Sequence, residues 1–162
     1  MAERKRKSGN IFRELVETAA YAVLGVLVAI FIYQALMFLL GTNRPVIDVV
    51  SESMYPSIKR GDLVIVKRVQ PQDIRIGDVI VFDTLSQRLP VIHRVYKIND
   101  DGTFQTLGDN NGGAQHDWEK QIEANDVVGK AVLVIPYVGW IKIIICDSAP
   151  VVCNVLSPIV YR

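Results

Sequence analysis

The chain has 162 residues, half of them apolar, and a formal net charge of +1. That length holds one modest domain plus a membrane anchor, and the near-zero charge leaves no electrostatic footprint for nucleic acid, which is not expected as a partner. Two cysteines and two histidines are too few for a disulfide framework or a metal-ligand cluster, so no metal is expected.

Arg4, Lys5, Arg6 and Lys7 make residues 1–10 a polar basic tail, read as disordered and cytoplasmic. Residues 11–41 form the anchor. Within it, positions 19–40 read AAYAVLGVLVAIFIYQALMFLL, with Gln34 as the one strongly polar side chain and no charge. As a helix this stretch spans roughly 33 Å, against about 30 Å for a bilayer's hydrocarbon core. A domain this small cannot bury a helix that is apolar on every side. The run ends in bulky Phe38-Leu39-Leu40 rather than in a small-residue cleavage site, so it is expected to stay attached as an anchor. Arg13 and the basic tail precede the span, and only Arg44 follows closely. The positive-inside rule then puts the N-terminus in the cytoplasm and everything from about Thr42 outside it, extracytoplasmic or lumenal.

After Pro45 the pattern changes to short β-branched runs at 46–50, 63–66, 79–82, 91–98, 103–107 and 127–135. Gly61-Asp62 and Gly77-Asp78 each introduce a strand. Asn99-Asp100-Asp101-Gly102 is a hairpin signal between two of the runs. A helical turn is expected at 57–59, after Pro56. Residues 42–140 therefore read as a mainly β, small antiparallel-sheet domain with several strands buried on both faces. The apolar segment 141–162 carries Lys142, Asp147, Pro150 and Pro158, which argue against a second span. It is expected to lie at the membrane interface or to pack on the domain, with Tyr137, Trp140 and Tyr161 suited to headgroups. Cys146 and Cys153 lie within it, and two free thiols or one bridge are both compatible with the spacing.

Chemistry concentrates in Ser51-Glu52-Ser53-Met54-Tyr55-Pro56. A serine becomes a nucleophile only when a base takes its proton, and His93, held in the strand-like Val91-Ile92-His93-Arg94-Val95, is the natural base. Such a base needs a carboxylate to orient it. Asp109, in Gly108-Asp109-Asn110-Asn111-Gly112-Gly113, and Asp117 are the two candidates. The Ser53 N–H and the Ser51 hydroxyl, on one face of an extended segment, are the candidate oxyanion donors. His116 is read as a surface residue, and Met54 as packing or resting at the membrane boundary. Every group in this scheme is a side chain or an amide, so no cofactor is expected.

These motifs, taken in order, resemble the type I signal peptidases of the archaeal and endoplasmic-reticulum branch. The matching stretches are SESMYP, the following Gly61-Asp62-Leu63-Val64, then IRIGDVIVF, VIHRV, GDNN, and Ile135-Pro136-Tyr137-Val138-Gly139. Each is weak to moderate alone; the ordered set, over roughly residues 15–140, is specific. The resemblance implies a membrane serine endopeptidase that removes signal peptides from secretory preproteins. Ser53 would be the nucleophile, His93 the base where the common bacterial enzymes use lysine, and Ser51 an oxyanion contributor. The branch usually carries a second aspartate about six residues after that of GDNN. Here position 115 is Gln and the next aspartate is Asp117. The resemblance therefore favours Asp117 as the third member, with Asp109 as its support or substitute.

Expected partners are signal peptides, the lipid bilayer, and other signal peptidase complex subunits or the translocon. Two rival readings are weaker. Self-cleaving repressors resemble the β domain but use a lysine base and lack an anchor. A non-catalytic subunit that binds signal peptides or organises a complex would not need Ser53, His93 and two loop aspartates together.

Overall fold

The computed structural model describes residues 2–141, 143 and 144, and separates into two compact units, residues 1–39 and 40–162. The expected interfacial segment, with Cys146 and Cys153, falls almost entirely outside the described residues.

The first unit is helix α1, Ala2–Leu40. Its start differs from the disordered tail expected at 1–10. Ala, Glu, Lys and Arg are all good helix formers, so the charged segment continues the helix instead of ending it. Arg13 and Glu17 pair one turn apart at 2.8 Å. Residues 13–40 are long and apolar enough to cross a membrane, about 42 Å at 1.5 Å per residue. Leu15, Tyr21, Leu27, Phe31 and Phe38 are all exposed, as lipid-facing side chains would be.

The second unit is built on one antiparallel sheet. Its strands are β1 (Val46–Asp48), β2 (Leu63–Lys67), β3 (Val79–Phe82), β4 (Val91–Ile98), β5 (Phe104–Leu107) and β6 (Val127–Ile135). They lie in the order β1-β2-β6-β3-β4-β5. The β-branched runs of the sequence thus become strands, β1 two residues shorter than expected. The helical turn expected at 57–59 comes earlier, where Ile58 N–H donates to Met54 C=O at 2.9 Å.

Because successive strand side chains point to opposite faces, central β3 feeds two cores. Val81 joins Ile47, Val49, Met54, Ile58, Val64 and Val66. Ile80 and Phe82 join Ile74, Val95, Phe104 and Ile122. Phe82 and Phe104 are almost wholly buried, each contributing about 1.5–3 kcal/mol of transfer free energy. The same alternation sets up the site: on β4, His93 lies opposite Ile80 and Arg94 opposite Val79, so these two neighbours face opposite sides of the sheet.

Candidate active site

Ser53 sits in a loop pinched at its neck. Val49 N–H donates to Asp62 C=O at 2.9 Å, and Gly61 N–H to Val49 C=O at 2.8 Å. The Asp62 carboxylate, itself buried, accepts from the Lys59 N–H at 2.8 Å and the Tyr137 N–H at 3.3 Å. Met54, next to Ser53, is 2 % exposed and packs into the first core. It is a packing anchor, not a membrane contact, and it leaves the Ser53 side chain turned the other way. The peptide bond between Tyr55 and Pro56 is cis.

The loop after β5 closes on this turn. Asn110 N–H donates to Ser53 C=O at 2.8 Å, and Asn110 Nδ2 to Glu52 C=O at 3.2 Å. A Cβ at Gly108 would stand 2.7 Å from the Ser53 carbonyl oxygen, so only glycine allows this approach.

His93 is 4 % exposed. Its Nε2 lies 3.1 Å from Ser53 Oγ, and Ser51 Oγ lies 3.3 Å from Ser53 Oγ. The sequence-predicted serines and histidine therefore meet. Among the described residues no acceptor takes the Ser53 N–H.

The aspartates do not join them as expected. Arg94, on the opposite side of β4, takes Asp109 in a two-pronged pair at 2.8 and 2.7 Å. That guanidinium holds the Asp109 carboxyl below its usual range. Asp117 points into solvent, 97 % exposed, and pairs with Lys120 at 2.7 Å. The Lys120 ammonium lowers the Asp117 carboxyl likewise.

The carboxylate facing His93 is Glu119, which the sequence reading passed over. It is fully buried. Its Oε1 lies 2.5 Å from His93 Nδ1, and its Oε2 accepts the His116 N–H at 2.7 Å. Both oxygens are thus satisfied, as a buried carboxylate requires. Glu119 closes a single 3-10 turn, Asp117–Glu119. The one sequence cue was its spacing, three residues after His116, the position from which a capping-box glutamate reaches back.

An acceptor-only carboxylate on Nδ1 fixes the neutral tautomer with its proton there, leaving Nε2 free to accept from Ser53. Burial lowers the His93 pKa below its ordinary value, against the raising influence of Glu119. Ser53 and His93 open onto a cleft of about 380 Å³ walled by Ile47, Val49, Leu89, Val91 and Trp118. His116 is exposed, as expected, but its ring stacks on Trp118 at 5.1 Å and lines the same cleft.

The Peptidase S24-like family matches residues 26–132. The chain is 37 % identical over 127 residues to the signal peptidase complex catalytic subunit SEC11C of Homo sapiens, covering 74 % of this chain and 66 % of that one. It is 30 % identical over 127 residues to the signal peptidase complex catalytic subunit sec11 of Dictyostelium discoideum, covering 74 % and 70 %. With the putative signal peptidase complex catalytic subunit SEC11B of Homo sapiens it shares 34 % over 119 residues, 68 % and 71 % of the two chains. The chain thus spans just under two thirds of the length of SEC11C.

Proposed function

Because the chain belongs to the Peptidase S24-like family, in the type I signal peptidase branch that holds the SEC11 catalytic subunits, we propose that it is a membrane-anchored serine endopeptidase that removes signal peptides from secretory preproteins. The observation that carries this reading is the line Ser53 Oγ, His93 Nε2, His93 Nδ1, Glu119 Oε1, at 3.1 and 2.5 Å.

Ser53 Oγ attacks the scissile carbonyl carbon while His93 Nε2 takes its proton. Glu119 holds the ring and stabilises the imidazolium, the role the sequence reading gave to Asp117 or Asp109. The carbonyl oxygen, now an oxyanion, is held by the Ser53 N–H and the Ser51 hydroxyl. His93 returns the proton to the leaving amine as the carbon–nitrogen bond breaks, leaving an acyl-enzyme on Ser53. Water, deprotonated by His93, then attacks the ester and releases the signal peptide with a free carboxyl group.

The basic residues before the span and their near absence after it favour a cytoplasmic N-terminus, with the peptidase domain on the other side of the membrane. The relatives are subunits of signal peptidase complexes. We infer partner subunits or the translocon here too, with the bilayer delivering the signal peptide.

The test is processing of a preprotein by full-length protein in liposomes, with the cut site read by mass spectrometry. Ser53→Ala and His93→Ala are expected to lower the rate by on the order of 10⁴–10⁶. Unimpaired processing by Ser53→Ala overturns the reading, and no cleavage by folded wild type shifts it to a binding subunit.

A further inference from the structure

Glu119 must be held to a fraction of an ångström if it is to orient His93, yet the turn that carries it is a single 3-10 turn at the end of a glycine-bearing loop. Gly112 and Gly113 adopt φ of +58° and +85°, with open space where side chains would stand. Downstream the turn is fixed: Phe104 and Ile122 exchange hydrogen bonds at 2.9 and 3.0 Å, and Asn99 Nδ2 donates to Lys120 C=O at 3.1 Å. Upstream, between the glycine pair and the turn, stands Gln115. Its Nε2 donates to Thr106 C=O at 2.9 Å and to Glu119 C=O at 3.3 Å.

Thr106 is fully buried in β5 and sits opposite Val95 of β4, the strand that carries His93 two residues away. Strands β4 and β5 form one hydrogen-bonded ladder. The Gln115 amide therefore ties the backbone of Glu119 to the β4–β5 ladder, whose strand β4 carries His93 one residue before the ladder's first pair, Arg94 with Leu107. From this geometry we propose that Gln115 is a positioning residue for the active site, a strut fixing the distance between Glu119 and His93. It touches neither substrate nor the reacting atoms. Its effect passes through Glu119 alone.

The inference rests on the function proposed above and is tested with a readout that does not need it. Gln115→Met keeps the side chain's length and removes both donors; Gln115→Ala is the second variant. In full-length protein in detergent, the NMR resonance of the His93 Nδ1 proton reports its hydrogen bond to Glu119. Gln115→Met is expected to move that resonance upfield, to lower kcat about 10–100-fold and to leave KM unchanged. In a Glu119→Gln background the same substitution is expected to cost less than about twofold, since the two residues act as one unit. An unchanged resonance and kcat, or an equal loss in the Glu119→Gln background, overturns the proposal. If wild type proves inactive on every preprotein, the functional reading falls, while the resonance comparison still decides the role of Gln115.

Discussion

Three carboxylates lie within eleven residues, and their surroundings sort them. Asp109 is taken by Arg94, Asp117 by Lys120 at the surface, and Glu119 alone is buried with His93 at one oxygen. Glu119→Gln keeps the shape but presents an amide to Nδ1, favouring the wrong tautomer. It is expected to lower kcat by on the order of 10³–10⁴, whereas Asp117→Asn should stay within about twofold. A large loss with Asp117→Asn and a small one with Glu119→Gln in a peptide-cleavage assay would return the third role to Asp117. The pH profile follows from His93. The base must be neutral, and burial sets its pKa below the ordinary value of about 6.5. The neutral, base-competent form is therefore lost as pH falls through a value below that of a free imidazole. Activity is expected to decline about tenfold per unit on the acid side of that value, with a midpoint lower than a free imidazole would give. Glu119→Gln removes a raising influence and should move that limb lower still. A midpoint above 7 in wild type would show that burial does not dominate the His93 pKa, and an acid side independent of pH would remove His93 from the base role.

At the scale of elements, two loops make the site and a glycine sets how near they come. The loop after β5 holds the Ser53 turn through Asn110, and Gly108 is the contact point. A methyl there meets a backbone oxygen that cannot yield without breaking the Asn110 bonds. Gly108→Ala is expected to destabilise the domain by about 1–3 kcal/mol, read as a lower thermal midpoint, and to lower kcat more than it raises KM. A variant with wild-type kcat would show that the loop does not set the position of Ser53. Gly61 is more tightly constrained, with φ of +87° and the Trp140 indole 2.0 Å from where a Cβ would be. Trp140 thus closes the far end of the nucleophile loop, with the Arg60 guanidinium over its ring at 5.8 Å.

For the molecule as a whole, the division into an apolar helix and a β unit with its own two cores means that, under the proposed function, delivery and chemistry can be tested apart. A chain lacking residues 1–40 is expected to keep cleaving a short soluble peptide. On a membrane-inserted precursor it should lose at least about tenfold, because a shared bilayer replaces a three-dimensional encounter. Equal rates on both substrates would reduce the helix to an address. The span, the antiparallel β class, and the grouping of Ser51 and Ser53 with His93 were legible in the sequence, because hydropathy, strand alternation and a compact serine motif are local properties. The third carboxylate was not. In a 3-10 turn each residue rotates about 120°, so Asp117 at its start faces water while Glu119, two residues on, faces His93. On β4, alternation sends Arg94 to the other side of the sheet, where it captures Asp109. Type and spacing offered both aspartates to His93; the pitch of one turn and the pleat of one strand, formed only when distant segments pack, gave the place to a glutamate.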